Sequence, residues 1–427
     1  AATSADELAV RQLQEVMDPL IADGIDAFVT EPRSPARYRI GVFEEQREAA
    51  LRSLRTTTLE IAAMDQLGDA AGRAGATPPR VMVWRYHHLG GGVAAGPELG
   101  VEVEFWRNES IGRVVPDGRR DLASFLPDPG RGATVSFRDR MFPTHSTFRA
   151  EVESWRVPFP IDVVYTWVDG SDPAWQAAYT DHLRRAGRLN PEAANFSRYT
   201  NRDELRHSMR SLWWNADFFH RVFLVTAGHV PAWLAVDHPR LTVVTHGELF
   251  REDELPTFNS HAIESRLHHI AGLEEHYLYM NDDVFLGRPV DPRLFFAPNG
   301  IAHMFLSTAP IPPGAPSGDD APVDAAAKNG RRLLEEAIGH RPARKLAHAP
   351  HPQTKTVVAE VESRFAGELA ATAAARFRSV TDVSLASALA PHYGFATGRA
   401  VIGDAAVQYV NIANRWAPGQ LTDLAER

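Results

Sequence analysis

The segment from His276 to Asp283 constrains the fold of this chain more than any other. Its first part, His276 to Met280, is aromatic and apolar in the manner of a short buried strand. Asp282 and Asp283 follow where that strand should end. Ligands of open α/β sheets bind just beyond the carboxyl ends of the strands, and adjacent carboxylates there can hold a hard cation such as Mg²⁺. The alternative interpretation is that the two aspartates only cap a turn or a helix.

Composition narrows the class of protein. A chain of 427 residues has room for two or three domains, and 44% hydrophobic with 23% charged residues is typical of a soluble globular protein. The absence of cysteine excludes disulfides, thiolate metal sites and cysteine nucleophiles. A net charge of −9 argues against nucleic acid as a partner.

The sequence shows neither an apolar run long enough to cross a bilayer nor a recognisable signal peptide. We therefore expect no transmembrane segment. The predicted location is the cytoplasm, with peripheral attachment to the inner face of the membrane as an alternative.

Residues 1–157 are predicted to form a separate α+β domain. Ser4 and Glu7 have the spacing of a capping box that would start a first helix. We find no chemical constellation in this part and interpret it as an accessory or oligomerisation domain, so that a homo-oligomer is an expected state. The further elements predicted here are strands at 26–31 and 38–42, a long helix at 44–67, and strands at 80–87 and 101–107.

Residues 158–427 alternate between strand and helix patterns. Ile161 to Val168 is a nearly continuous β-forming run, as in a strand buried on both faces, and Asp172-Pro173 after the turn should cap and start a helix. The repeated alternation predicts an α/β fold with a doubly wound, mainly parallel sheet. The further strands are predicted at 221–226, 241–246 and 276–280, and the connecting helices at 231–234 and 262–270.

Four arginines recur at intervals of four residues around a helix start near Asn201 and Glu204. On a helix they would share one face. That face either meets a diphosphate or is solvated, with acidic neighbours as partners. The arginines are Arg198, Arg202, Arg206 and Arg210.

Residues 307–322 are rich in proline and glycine and are interpreted as a disordered connector or a mobile cover over a site. The part beyond is predicted to be mainly helical. His348 and His351 lie there among prolines, in what we expect to be an irregular loop. The elements predicted after the connector are helices at 324–338, 354–375 and 382–389, and a last strand at 409–414.

Several of these blocks, in this order, resemble the Stealth family. Residues 161–170 resemble its first signature block. Residues 201–206, 255–264 and 279–283 together resemble the second, and residues 348–378 resemble the third. The likeness extends over residues 158–416 and leaves the N-terminal domain out.

The resemblance implies a sugar-1-phosphate transferase with a nucleotide-sugar transferase-like fold. Such an enzyme moves a hexose phosphate from a nucleotide diphosphate sugar, with UDP-GlcNAc the expected donor, to a hydroxyl group of a glycan acceptor and releases UMP. Within the family, the chain resembles the actinobacterial exopolysaccharide phosphotransferases of the CpsY type. The implied role is exopolysaccharide or capsule synthesis.

The resemblance also implies site residues. Asp282 and Asp283 match the family's metal site, for Mg²⁺ or Mn²⁺, and His351 and Arg378 match its catalytic histidine and arginine. Asp169 lies in the block that lines the donor pocket and is a further catalytic candidate. The remaining candidates for substrate binding in these blocks are Tyr165, Trp167, Gly170, Arg198, Asn201, Arg202, Asp203, Arg206, Asn259, Ser260, His261, Glu264 and His348.

The fourth block of the family usually ends in Asn-Asp. The corresponding place in this sequence offers only Asn414, so the aspartate is replaced.

Attack on the sugar-bearing phosphorus requires that the diphosphate charge be neutralised and that the acceptor hydroxyl lose a proton. His351 is a candidate general base, because the ordinary pKa of histidine is near neutrality. It is equally a candidate nucleophile that would carry the sugar phosphate. Two other functions stay open from the sequence: a glycosyltransferase that releases UDP, and a non-catalytic protein that binds a glycan or a nucleotide.

Overall fold

The computed structural model describes residues 4–32, 35–64, 80–90, 93–109, 112–114, 124–127, 132–186, 199–412 and 414–425. The chain divides into two compact units. The first comprises Ala1–Arg156, Arg210–Asp217 and Leu286–Asp291, and the second comprises Val157–Met209, Phe218–Phe285 and Pro292–Arg427. The accessory role of the N-terminal region stays a prediction. In the described part of the chain, no helix is both long and apolar enough to span a bilayer.

The first unit is α+β. Its helices are α1 (Ala5–Ala22), α2 (Arg47–Arg55) and α3 (Ser146–Ser154). Its strands are β1 (Ala27–Val29), β2 (Arg39–Phe43), β3 (Glu60–Ala63), β4 (Arg80–Trp84), β5 (His87–Gly90), β6 (Val93–Ala95), β7 (Val101–Glu109), β8 (Gly112–Val114), β9 (Phe125–Leu126), β10 (Ala133–Phe137) and β11 (Arg140–Thr144).

A mixed sheet organises the described part of this unit, in the order β10-β11-β1-β2-β7-β4-β3, with β8 and β9 continuing from β7. The expected cap of α1 is confirmed, because the Glu7 backbone N–H donates to Ser4 Oγ at 3.1 Å. Apolar side chains of α1 such as Leu13 and Val16 pack with strand residues such as Ile40 in one core.

The long helix predicted for residues 44–67 is wrong beyond Arg55. The hydroxyls of Thr56 and Thr57 donate to backbone carbonyls of the last helical turn at 2.7 and 2.6 Å and close it. Residues 60–63 then pair with β4 as strand β3. Tertiary pairing thus overrides the local helical pattern. The last three residues of that prediction, 65–67, lie outside the described part of the chain.

The second unit carries the predicted α/β pattern. Its strands are β12 (Ile161–Thr166), β13 (Val222–Thr226), β14 (Leu241–Thr245), β15 (His276–Asn281), β16 (Ala302–Met304), β17 (Leu306–Pro310), β18 (Arg344–Leu346), β19 (His351–Thr354) and β20 (Ala400–Ile402). Its helices are α4 (Pro173–Ala186), α5 (Glu204–Asn215, which ends in the first unit), α6 (His246–Leu249), α7 (Ser260–Glu264), α8 (Pro322–Ile338), α9 (Lys355–Arg364), α10 (Ala366–Ala374), α11 (Ala390–Ala396) and α12 (Ala417–Ala425).

The central sheet has the order β14-β13-β12-β15-β19. The first four strands are parallel, and β19 runs antiparallel to β15 at the edge. Val163 and Val164 in β12 are fully buried, as a strand covered on both faces requires. A mixed α/β fold with a mainly parallel sheet is therefore confirmed, while the doubly wound arrangement stays a prediction. The cap of α4 is also confirmed, because Asp172 Oδ1 accepts the Trp175 backbone N–H at 2.7 Å.

Several predicted helices differ from the structure. Residues 231–234 form only a turn, in which Leu234 N–H reaches the Pro231 carbonyl. The helix expected at 262–270 is the short α7 followed by a 3₁₀ turn (Leu267–His269), because the Ser265 hydroxyl bonds to the Ala262 carbonyl where the helix ends. The expected helix at 354–375 breaks at Phe365 into α9 and α10.

The C-terminal part contains three further differences. The helix expected at 382–389 is a π-helical turn (Leu385–Leu389) that leads into α11. No strand forms among the described residues of 409–414, where Tyr409 and Ile412 are exposed and have no neighbouring strand. His351 does not lie in an irregular loop but begins β19, because an edge strand tolerates the proline that follows it.

The Pro/Gly-rich connector is partly ordered by hydrogen bonds. Its start belongs to β17, which pairs with β18. Lys328 of α8 donates to the Ala315 carbonyl at 3.3 Å, and Arg331 of the same helix donates to the carbonyls of Ile311 and Pro312 at 3.2 and 2.7 Å. Its role as a mobile cover stays a prediction.

Candidate functional site

Two loops leave the central sheet at the same edge. In the parallel pair β12 and β15, Thr166 lies opposite Asn281, so the loops after both strands start side by side. Asp169 in the first loop accepts the Ser171 N–H and hydroxyl through Oδ1, at 2.9 and 2.6 Å. Its own backbone N–H donates to His229 Nε2 at 2.8 Å. His229 follows β13, so three strands contribute to this edge.

Gly170 lets a third loop approach closely. Its N–H donates to the Tyr199 carbonyl at 2.8 Å. A Cβ at Gly170 would lie 2.3 Å from that carbonyl oxygen, which no side chain could tolerate without movement of the backbone. The glycine is therefore required for the packing of the two loops, whatever contact it makes with a substrate.

Asp282 and Asp283 are adjacent carboxylates with opposite pKa shifts. Burial, and then the negative charges of Asp283 and Glu204, raise the pKa of Asp282 to about 7. Burial alone would raise the pKa of Asp283, but the hydrogen bond and charge of His348 outweigh it and lower that pKa. A cation bound beside Asp282 would favour its ionised form and so oppose the effect of burial.

His348 contacts Asp283, and His351, three residues later in the chain, has a pKa shifted in the opposite direction. His348 Nε2 is 2.9 Å from Asp283 Oδ1, and although burial opposes it, this contact raises the pKa of His348. Burial, with a smaller contribution from the charge of His348, lowers the pKa of His351 to about 3. The His351 ring stacks on Tyr279 with ring centroids 6.1 Å apart. The ordinary pKa of histidine, on which the candidate base role was argued, therefore does not apply to this buried ring.

Arg378 is held by a network around a buried carboxylate. Its Nη2 donates to Ser260 Oγ at 2.6 Å. Asp382, fully buried, accepts hydrogen bonds through Oδ2 from Asn259 Nδ2 at 2.8 Å and from His261 Nδ1 at 3.3 Å. Asn259 and His261 are buried and engaged in this network, so they position Arg378 and Ser260 and do not offer free surface to a substrate.

Glu264 stabilises the same region through buried hydrogen bonds. It is buried and accepts the hydroxyls of Ser384 and Ser387 at 2.9 and 2.8 Å. Ser384 immediately precedes the π-helical turn at Leu385–Leu389. Glu264 therefore fixes this turn, and its charge also contributes to the raised pKa of His348.

Tyr165 and Trp167 are core residues in the structure. Tyr165 has no exposed surface, and its hydroxyl is 2.9 Å from Ser208 Oγ. Trp167 is 5% exposed and meets the His229 ring edge-on at 5.4 Å between centroids. Tyr165 therefore offers no accessible surface and Trp167 very little, and the substrate contact predicted for both stays a prediction. Both lie at the end of β12 that leads into the loop with Asp169.

The predicted arginine face is only partly formed. Arg198 lies outside the described residues. Arg202 precedes α5, whose first residue is Glu204, so it does not share a helical face with Arg206. Asn201, Arg202, Asp203 and Arg206 are all exposed, and Asn201 Oδ1 accepts the Asp203 N–H at 2.9 Å. Asp203 has a left-handed φ of 65°, a conformation that aspartate adopts more readily than most residues other than glycine.

Two further residue groups have the donor types of a metal site. They are His268, His269 and Glu362, and Asp162, His220 and Glu274. Neither includes the predicted pair Asp282 and Asp283. Asn414, the residue in place of the fourth-block aspartate, is exposed, and its side-chain oxygen accepts the Trp416 N–H at 3.1 Å.

Comparison of the sequence with known proteins identifies the family of the chain. The models of Stealth protein conserved regions 1, 2 and 3 match residues 159–181, 198–304 and 347–395. The chain is 40% identical to the exopolysaccharide phosphotransferase SCO2594 of Streptomyces coelicolor, over 97% of this chain and 77% of the relative. The chain belongs to the Stealth family. The expected family is thereby confirmed, and this Stealth protein is a transferase of the phosphotransferase type.

Other relatives are similar. The exopolysaccharide phosphotransferase SCO6023 of the same organism is 41% identical over 95% of this Stealth chain and 72% of its own length. The exopolysaccharide phosphotransferase CpsY of Mycobacterium tuberculosis is 36% identical over 76% of this chain and 61% of its own length. All of the catalytic and metal candidates lie inside the three matched regions.

Reasoning from the sequence missed three residues of this Stealth site. His229 could have been found, because it follows a predicted strand in the same way as Asp169 does. Asn281 precedes the aspartates, and its Oδ1 is buried with no hydrogen-bond partner among the described residues. Asp382 was interpreted only as a helix start, and nothing local indicates that its partners lie more than a hundred positions earlier.

Proposed function

We propose that this protein transfers a sugar-1-phosphate from a nucleotide diphosphate sugar to a hydroxyl group of a glycan acceptor, in exopolysaccharide synthesis. The donor we propose is UDP-GlcNAc and the released nucleotide is UMP. The observation that carries the proposal is the meeting of two carboxylates, Asp282 and Asp283, with His348 at the carboxyl edge of the central parallel sheet. The similarity to enzymes named exopolysaccharide phosphotransferases supports it.

The residues around Asn281 suit a hard divalent cation. The unpartnered Asn281 oxygen and the carboxylate of Asp282 are oxygen donors that Mg²⁺ or Mn²⁺ accepts. Burial, and then the charges of Asp283 and Glu204, raise the pKa of Asp282, and a bound cation would act in the opposite direction. A cation bound by Asn281, Asp282 and Asp283 would supply neutralisation of the donor diphosphate.

The loops at this edge are proposed to hold the donor. Asp169, fixed by Ser171 and His229, and the exposed side chains of Asn201 and Arg202 face solvent on the segments next to it. Arg378 is oriented by Ser260 and brings a guanidinium group suited to bidentate contact with phosphate oxygens. The direct contacts with the diphosphate are therefore assigned to Arg202 and Arg378, and Tyr165, Trp167, Asn259 and His261 are assigned supporting roles.

His351 is proposed to act on the acceptor. With a pKa of about 3, its ring is uncharged at neutral pH and can accept a proton. An anionic diphosphate nearby would raise this pKa and so strengthen the base. In the covalent alternative, the uncharged ring attacks phosphorus itself, UMP leaves, and the acceptor hydroxyl then displaces histidine. The ion-paired His348 holds a proton next to the carboxylates and is proposed to orient Asp283.

The test is the identity of the nucleotide product. The protein is incubated with UDP-GlcNAc and Mg²⁺, with and without a short glycan acceptor, and the nucleotides are separated. Release of UMP is expected, and it should require His351. His220→Ala is a matched control, because His220 lies two residues before β13, at the opposite end of the sheet, and is 44% exposed.

Other products would point to other functions. Release of UDP would mean attack at the sugar carbon, and a glycosyltransferase would replace the proposal. Binding of UDP-GlcNAc without any turnover would favour a non-catalytic binding protein. Capsule as the product, the cytoplasmic location and homo-oligomer formation through residues 1–157 stay predictions.

A further inference from the structure

We propose that His268, His269 and Glu362 form a second metal site, for a borderline divalent ion of the Zn²⁺ type. The two histidines end the 3₁₀ turn Leu267–His269, and the glutamate lies on α9. His268 Nε2 is 2.8 Å from Glu362 Oε2, and His269 Nε2 is 3.0 Å from the same oxygen. Two neighbouring residues thus direct equivalent ring nitrogens at one carboxylate oxygen.

The distances suit shared coordination. Zn²⁺ bound at about 2.0–2.2 Å by nitrogen and oxygen ligands in a tetrahedron leaves those ligands roughly 3.3 Å apart. The observed separations are shorter by a few tenths of an ångström, so small side-chain rotations would admit the ion. Imidazole nitrogen with a single carboxylate is a ligand set for Zn²⁺ and its neighbours, in contrast to the all-oxygen set at Asp282.

The exposure of the histidines is also suitable. His268 is 3% exposed, so the protein encloses this ligand. His269 is 45% exposed, which gives an ion from solution a route to the site and leaves a coordination position for water. Burial of one ligand and exposure of the other distinguish this group from a random surface cluster.

Arg266 holds the carboxylate in place for the ion. Its Nη1 lies 3.2 Å from Glu362 Oε1, which is also 3.0 Å from His269 Nε2, and its Nη2 lies 2.9 Å from Glu254 Oε1. Glu254 is buried and offsets the charge of the guanidinium. Arg266 therefore fixes the Glu362 carboxylate beside the two rings, in the manner of groups behind a metal ligand that orient it.

The second histidine-containing group lacks these features. Both oxygens of Asp162 already accept backbone hydrogen bonds, from Arg221 N–H at 3.1 Å and Glu274 N–H at 2.9 Å. Arg221 also lies 3.9 Å from the same carboxylate. Asp162 therefore stabilises the starts of the strands, and His220 in that group is suited as a control.

The proposed ion would have a structural role. The turn with the histidines follows α7, which begins directly after Asn259, and α9 directly follows β19, which begins with His351. An ion shared by the turn and α9 would tie together the two segments that carry the supporting network and the candidate base. This role does not depend on the donor or the product proposed above.

The test uses the full chain, freed of metal with a chelator and dialysed. Isothermal titration with Zn²⁺ should show a site that raises the melting temperature, and Co²⁺ in its place should give the visible absorption of a low-coordinate nitrogen and oxygen site. His269→Ala and Glu362→Gln should weaken the affinity at least ~10-fold. His220→Ala, with 44% exposure against 45% for His269, should bind as the parent does.

Three outcomes would overturn the inference: no Zn²⁺ binding by the parent chain, equal binding by His269→Ala, or loss of binding in His220→Ala. Asp282→Asn separates this site from the proposed donor site, since Zn²⁺ affinity should survive that change. If Asp282→Asn removes the Zn²⁺ response, the ion binds at the catalytic edge and not at His268. Release of UMP is scored separately, so either proposal can fail alone.

Discussion

Substitutions of Asp382 should show how far the site depends on a buried residue that positions its neighbours by hydrogen bonds. Its Oδ2 alone accepts three hydrogen bonds, from Asn259 Nδ2 at 2.8 Å, Ser379 N–H at 2.9 Å and His261 Nδ1 at 3.3 Å. Because one oxygen takes all three, the amide oxygen of asparagine can take its place. Leucine has a similar volume and no acceptor. We therefore expect Asp382→Asn and Asp382→Leu to behave very differently.

The expected loss of stability follows from the hydrogen-bond donors that Asp382→Leu leaves without an acceptor. In Asp382→Leu, the Ser379 N–H and the His261 Nδ1–H lose their acceptor inside the core, at about 1–3 kcal/mol each. Asn259 loses less, because its Nδ2 keeps the Ala375 carbonyl at 3.1 Å. Removal of a buried charged partner typically costs about 3–5 kcal/mol, and we expect a loss of that size. Asp382→Asn loses only the charge and should stay within about 2 kcal/mol of the parent.

Urea unfolding measures the stability, and hydrogen–deuterium exchange of peptides spanning residues 376–384 locates the effect. Exchange there should accelerate in Asp382→Leu and remain slow in Asp382→Asn. UMP release should fall at least ~10-fold in the leucine variant even where it is folded, since Arg378 loses its fixed position. Equal stability of the two variants would refute the reasoning, because it would mean that the three donors do not depend on this carboxylate.

Four further outcomes are expected. His351→Ala should lower turnover at least ~10²-fold with little change in donor affinity, and a variant with parental turnover would remove His351 from the chemistry. Asp282→Asn should weaken the response of turnover to Mg²⁺, and an unchanged titration would contradict a cation there. Gly170→Ala should lower the free energy of unfolding by about 1–3 kcal/mol, because the new Cβ would lie 2.3 Å from the Tyr199 carbonyl oxygen. Urea unfolding measures this, and an unchanged urea midpoint would show that the loop can shift freely. The pKa of buried His246 is lowered to about 4, so on acidification the unfolded chain takes up a proton first, near pH 6.5, and stability is lost between there and pH 4. His246→Phe should therefore reduce the slope of the free energy of unfolding against pH in this range, by up to ~1.4 kcal/mol per pH unit. Equal slopes for the variant and the parent would contradict the assignment.

The sequence predicted best those elements that depend on neighbouring residues or on burial that is constant along the element. The segment around β12 is buried on both faces, and its unbroken β-forming run indicates just that. The cap of α4 is also local, since Asp172 and Trp175 are three positions apart. The family blocks followed from long runs of residues, and the three matched conserved regions confirm them.

Predictions failed where the deciding partner is distant in sequence. β3 forms because β4 is available to pair with it, although residues 44–67 have a helical pattern on their own. Tyr165 and Asn259 belong to motifs that suggested substrate contact, yet their polar atoms are used by Ser208 and by the Asp382 network. Position in a motif therefore did not distinguish residues that face a ligand from those that support the ones that do.

The direction of β19 explains how the histidines reach the carboxylates. β15 ends at Asn281, so Asp282 and Asp283 leave the sheet at its carboxyl edge. β19 runs the opposite way and begins with His351 opposite Tyr279, so the residues that precede it, among them His348, arrive at that same edge. A parallel edge strand would have delivered them to the other end of β15. The proline after His351, which indicated an irregular loop, is tolerated because β19 lies at the edge. Because this edge strand is reversed, its first residue supplies a buried uncharged imidazole and the loop before it supplies an ion-paired one.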